Sequence, residues 1–194
     1  MGVGTRIVST GAAVPSLGHA RASRPCQARH TANGKVNFAI ALLATRISHR
    51  NTGRYAADPI CERLLSRVST DENLHMVFYR NLVTAALRVA PGPTMRAIAD
   101  EVVGFEMPGA MIPGFTRKAA QIAQAGIYDL RIHHDEIVQP LLRHWAVFDI
   151  EGLDAQGEQA RDELSAFVAG LSAQATRFDE QRARTQARRA ARQA

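Results

Sequence analysis

The chain has 194 residues, a formal net charge of +6, 46% hydrophobic residues and only 6% aromatics. That is enough length and apolar content for one folded domain, and the dominance of Ala, Leu, Ile and Val favours a helix bundle over a β-sandwich. No apolar run is long enough to span a membrane, and Cys26 and Cys61, which lack metal-ligand spacing, read as free thiols in a reducing, cytoplasmic compartment.

The charge is unevenly placed. Residues 1–57 contain no Asp or Glu, the middle is near balance, and 177–194 is rich in Arg and Ala. A basic chain is drawn to acidic partners, of which nucleic acid and an acidic carrier protein are two. Two solvated basic ends are the simpler reading.

Taken in order, residues 1–37 mix Gly, Ser, Thr, Pro, Ala and Arg without sustained periodicity, so little stable structure is expected there. The Arg-rich composition is like that of a transit peptide, and there is no continuous apolar core of a secretory signal. The favoured reading is a shift of reading frame ahead of the remaining sequence. A helix is predicted over 38–54, stopping at Asn51-Thr-Gly53. Asp58-Pro59 caps and opens a second, to about Val89. Ala90-Pro-Gly-Pro93 is a break. Thr94 caps a third helix to about Phe105. Met107 to Gly114 is a loop, and a fourth short helix covers 115–125. A fifth runs from Arg131 to Trp145, broken or bent near Pro140. The last spans 158–177 and continues as a basic tail over 178–194. Nothing alternates with period two for long, so the fold class is all-α.

The centre of the chain is 64–82. Leu64, Leu65, Val68, Leu74, Val77, Phe78 and Leu82 fall near helical spacing, which predicts a largely buried helix. Glu72 and His75, three apart, share a face. Their carboxylate and imidazole can aim at one point, as half of a carboxylate-rich metal site. The bland alternative is a solvated or hydrogen-bonded pair. Glu-x-x-His pairs contributed by bundle helices are the unit of di-iron carboxylate proteins.

The wider stretch carries a more specific signal. Ala44-Thr-Arg-Ile-Ser-His-Arg-Asn-Thr-Gly53, Asp71-Glu-Asn-Leu-His-Met-Val-Phe-Tyr-Arg80, Met107-Pro-Gly, Gly126-Ile-Tyr-Asp-Leu-Arg-Ile-His-His-Asp-Glu136 and Arg143-His-Trp145 occur in that order. Together they resemble the C-terminal half of a soluble acyl-[acyl-carrier-protein] desaturase of the mycobacterial type, from Ala44 to the region of Arg177. The resemblance implies a partial ferritin-like helix bundle over 38–177. It also implies a family that binds two irons, uses oxygen and two electrons, and places a cis double bond in an acyl chain. The implied partners are acyl carrier protein and an electron donor such as ferredoxin.

Glu72 and His75 match the second Glu-x-x-His of that family. Asp71 matches the acidic residue before it, which orients a histidine ligand. The first Glu-x-x-His has no counterpart, and Leu42 stands where the family has a further glutamate. Two of six protein ligands remain. The chain is thus expected to be a desaturase by descent and inactive alone. Assembly from two chains, a non-catalytic remnant and a basic nucleic-acid binder are the competing readings, the last the least favoured. Removing half a bundle uncovers apolar faces, so a homo-oligomer or a partner chain is expected.

Other groups weigh less. His133, His134, Asp135 and Glu136 are ligand types, with His133 and Glu136 three apart, but interhelix hydrogen bonding is preferred to a metal. Met107, Met111, Ile112 and Phe115 suit an acyl channel, though core packing is preferred. Trp145 reads as a packing residue at a helix end. The Arg-rich tail lacks the aromatic interleaving of a nucleic-acid module and reads as a frayed helix.

Overall fold

A computed structural model describes residues 24–107 and 110–192. The described residues are helical with no strand, which bears out the all-α expectation. Helix α1 spans Arg24–Ala56, α2 Pro59–Val89, α3 Pro91–Val103 and α4 Phe115–Gln124. Then α5 (Leu130–Ile132), a π-helical turn (His133–Val138) and α6 (Gln139–Trp145) follow without a break, and α7 spans Ala155–Ala191.

The first helix begins at Arg24, not at Phe38. Part of the stretch expected to lack stable structure is therefore helical, because Ala32 and Val36 are buried in the core and packing overrides composition. The rest of that expectation, on residues 1–23, lies outside the described residues, as does the side chain of Cys26. Cys61 is a half-buried free thiol.

Between α1 and α2 the chain turns through Ala57 at φ 51°. Asp58 then accepts from the Ile60 and Cys61 N–H groups at 2.9 and 2.8 Å, with Pro59 in the first turn, where its missing donor costs nothing. The two helices approach closely at Gly53, where an added Cβ would lie 3.2 Å from the Glu62 Cα.

The predicted break at Ala90–Pro93 is narrower than expected. Helix α3 starts at Pro91, and Thr94 is buried inside it instead of capping it. Pro91 is preset for a first helical position, so the two helices share Ala90 as their junction.

The fifth predicted helix carries its irregularity before Pro140. The Gln139 N–H bonds to the His134 carbonyl, five residues back, as a π turn requires. Pro140 itself has no N–H to give to Glu136, so the wide turn ends where an ordinary helical bond could not form.

The core is built from one face of α1 (Ile40, Leu43, Ile47), α3 (Met95, Ile98, Val102), the π turn and α6 (Ile137, Val138, Leu142, Trp145) and α7 (Leu164, Val168). Helix α2 contributes little: only Ser69, Met76 and Val83 are buried on it. The expectation of a largely buried helix over 64–82 is therefore corrected. Leu64, Leu74 and Phe78 are exposed by 62%, 64% and 58%, because the apolar stripe they form faces away from α1. The basic tail is helical, as expected: it continues α7 as far as Ala191, and its first turns are pinned by Arg131–Asp179 at 3.0 Å and Arg182–Asp129 at 3.1 Å.

A candidate metal half-site on the second helix

Glu72 and His75 sit in the middle of α2, one turn apart. Glu72 is half-buried, and its Oε2 is fully buried with no hydrogen-bond partner. A carboxylate oxygen removed from water without a donor costs free energy that a cation or a donor would offset. His75 is exposed. The partner of Asp71 is Arg67 on its own helix, at 3.6 Å. Leu42 is half-buried and packs against the core.

Among the described residues no three His, Cys, Asp or Glu side chains come together as a metal site. Glu72 and His75 offer two donors, whereas a di-iron carboxylate centre draws a Glu from each of two helices and a Glu-x-x-His from each of two more. The residues present do not fit a complete di-iron centre, and no reaction step follows from them. The orphaned Glu72 oxygen is compatible with a partial one.

The ligand-type cluster on the π turn is taken up by structure. His133 is buried, with its Nδ1 2.8 Å from the Tyr128 hydroxyl and its ring stacked on Phe105 at 5.1 Å. Burial, with a smaller contribution from His134, pushes its pKa down to about 4, so the ring is neutral near pH 7. The Tyr128 hydroxyl shares a hydrogen bond with this neutral ring, and its own pKa is pushed up by burial and then by Asp129. His134 pairs with Asp135 at 2.5 Å, and Glu136 with Arg50 at 2.8 Å. Each group has a protein partner, as the preferred hydrogen-bonding reading expected.

Beside His133 lies an apolar cleft of about 350 Å³, lined by Phe105, Met107, Ala123, Tyr128 and Phe178 among others. Of the residues weighed as channel or core, Met107 lines this cleft and Phe115 is half-buried. Met111 and Ile112 do neither: they are 93% and 53% exposed. That exposure corrects the expectation of core packing for the pair. A second feature escaped the sequence reading. Arg46, Arg50 and Arg54, four residues apart on α1, line with Arg63 of α2 a groove of about 600 Å³. The four-residue spacing was visible in the sequence, but Arg63 joins it only through the α1–α2 turn.

No helix among the described residues is long and apolar enough to cross a membrane.

Residues 24–193 match the profile of the fatty acid desaturase family. Over 137 residues the chain is 44% identical to the acyl-[acyl-carrier-protein] desaturase DesA1 of Mycobacterium tuberculosis, covering 71% of this chain and 40% of that protein. It is 31% identical over 159 residues to acyl-[acyl-carrier-protein] desaturase 7, chloroplastic, of Oryza sativa, covering 76% of this chain and 38% of the relative. With stearoyl-[acyl-carrier-protein] 9-desaturase 1, chloroplastic, of the same plant, it shares 33% identity over 140 residues, covering 66% of this chain and 35% of the relative. The chain thus spans 40% or less of the length of these relatives. An all-helical fold, ordered motifs and a match over most of its residues together place this chain in the fatty acid desaturase family.

Proposed function

We propose that this chain is a partial acyl-[acyl-carrier-protein] desaturase of fatty-acid metabolism, which keeps one Glu-x-x-His of the iron ligand set and does not desaturate by itself. The observation that carries the reading is at Leu42. An apolar, half-buried side chain stands where the resemblance calls for a glutamate, and no third donor among the described residues joins Glu72 and His75. Glu72 and His75 are the family's iron ligands in this reading, and the orphaned Glu72 oxygen supports it. When bound in the intact family, iron supplies the oxidising power; this chain's residues supply helix packing and part of a ligand set. The groove of Arg46, Arg50, Arg54 and Arg63 is a suitable surface for an acidic carrier protein. Ferredoxin as electron donor and a cytoplasmic location belong to the same proposal.

The test is single-turnover desaturation of stearoyl-acyl carrier protein by the iron-reconstituted chain, with a chemical reductant and oxygen, read by mass spectrometry. The expected result is no product above an iron-only control. Monounsaturated product that disappears with Glu72→Ala would overturn the claim of inactivity. A non-catalytic interaction protein is the second reading, favoured by the exposed apolar stripe of α2.

A further inference from the structure

The groove between α1 and α2 gathers cations that the bundle leaves without a counter-charge. Arg46, Arg50 and Arg54 recur every four residues on α1 and so share one face, and Arg63 of α2 joins them. Arginines at other helix contacts are matched: Arg96 with Asp100 and Glu163, Arg131 with Asp179, Arg182 with Asp129. In the groove only Arg50 is, to Glu136 of the π turn at 2.8 Å. Among the described residues the side chains of Arg46, Arg54 and Arg63 have no hydrogen bond or ion pair. Arg46 is also half-buried, so part of its hydration is lost with no protein partner in return.

The charge can be counted. Arg50 and Glu136 cancel, Arg46, Arg54 and Arg63 contribute three positive charges, and Glu62 is the acid that lines the groove. The groove, of about 600 Å³, therefore carries a net charge of +2. Its α2 side adds neutral donors. The buried Ser69 gives its hydroxyl to the Arg46 carbonyl at 3.0 Å, and Thr70 gives its own to the Ser66 carbonyl at 3.0 Å. Those two hydroxyls are spent on holding the helices. The Ser66 hydroxyl and the Asn73 amide line the same groove and have no partner among the described residues. Ser66 lies about two and a half turns from His75, on the opposite side of α2, so these donors face away from the Glu-x-x-His side.

Guanidinium forks, a free hydroxyl, a free amide and two uncompensated positive charges are the complement of one phosphate dianion, which brings that charge and several strong acceptor oxygens. We infer that the groove is a phosphate site, with Arg46 and Arg63 gripping the group from the two helices and Ser66 and Asn73 donating from α2. The inference deepens the reading of this groove as a face for an acidic carrier. It rests on that reading only for the source of the phosphate, which is either free in solution or esterified to a carrier protein. Iron and desaturation play no part in it.

The first arm of the test titrates inorganic phosphate, at mildly alkaline pH where it is a dianion, into the full chain by isothermal titration calorimetry. Circular dichroism checks that each variant is folded. One site per chain is expected. Arg46→Gln and Arg63→Gln should each weaken it about tenfold, as the loss of one charge-assisted contact does. Glu62→Gln removes the opposing carboxylate and should tighten binding severalfold. Arg88→Gln, an exposed cation at the far end of α2, should change nothing. The second arm adds an acidic carrier protein in two forms, one with a phosphate ester on its surface serine and one with that serine replaced by alanine. Competition with inorganic phosphate by the esterified form alone supports the inference and makes the carrier the source. Competition by neither form, with phosphate still bound, supports it with a free ligand and removes the carrier reading. No phosphate binding at millimolar concentration, equal affinity in wild type and Arg46→Gln/Arg63→Gln, or an equal loss in Arg88→Gln would each overturn the proposal. So would equal binding of both carrier forms that phosphate does not displace, since the groove would then read carboxylates and the carrier reading alone would survive.

Discussion

Arg182 of α7 donates through Nη1 to the Asp129 carboxylate at 3.1 Å, across 53 positions of sequence. Asp129 is buried, and its other oxygen accepts from the Ile132 N–H at 2.9 Å, capping α5. One side chain thus starts a helix and anchors the long C-terminal helix. Asp129→Ala removes both roles and is expected to cost about 2–4 kcal/mol, the sum of a lost cap and a lost charge-assisted bond. Asp129→Asn keeps the cap acceptor and should cost less. Urea unfolding of the two variants checks the order.

The starts of α3 and α7 meet through two glycines. A Cβ on Gly157 would lie 3.0 Å from the Gly92 Cα, and a Cβ on Gly92 would lie 2.5 Å from the Asp154 carboxylate. That carboxylate accepts from the Gly157 N–H at 2.8 Å, so it is not free to swing away without losing the turn. Gly157→Ala is expected to destabilise by about 1–3 kcal/mol, as overpacking does. Gly170, exposed within α7 and with nothing within 4 Å of an added Cβ, gives the opposite sign. Gly170→Ala should stabilise by about 0.5–1 kcal/mol through helix propensity. Thermal melts of both variants decide it.

Sequence and fold agree to different degrees at different levels. The helices over 59–89 and 115–125 follow from capping, punctuation and apolar spacing, which act locally. Burial on α2 does not, because periodicity marks an apolar stripe without saying whether a neighbour covers it. Leu74 and Phe78 belong to the better apolar stripe, yet Ser69, Met76 and Val83 face α1. The π turn was visible only as trouble near Pro140. The docking of Arg182 was not visible, since its partner lies on another helix. Glu72 and His75 stood out through motif order, but the lone state of the Glu72 oxygen required the fold.

His133 sets a pH dependence. Its folded pKa of about 4 lies below the ordinary value of 6.5. Between those values the unfolded chain binds the proton and the folded one does not, so stability falls as pH drops from 6.5 toward 4. The slope should approach about 1.4 kcal/mol per pH unit within that window and vanish from this group above it. His133→Phe removes the titrating ring. Its absolute stability changes through the lost Tyr128 bond, but the slope between pH 6.5 and 4 should flatten relative to wild type in denaturant titrations.

Leu42→Glu restores one carboxylate of the family pattern without the helix that carries the first Glu-x-x-His. The variant should gain no tightly held iron. It should lose about 1–3 kcal/mol, because it exchanges an apolar contact for a partly buried carboxylate. Iron retention after desalting, together with urea unfolding, checks both statements.

Glu72 and His75 are, in this reading, half of a ligand set that the chain does not complete. Iron retained after anaerobic reconstitution with ferrous iron and desalting, on wild type and on Glu72→Ala/His75→Ala, addresses that reading without an intermediate step. An incomplete set should hold well under two irons per chain and give no oxo-bridged di-iron absorption after exposure to oxygen. About two irons per chain, lost in the double variant, would contradict it and would mean that other residues complete the centre.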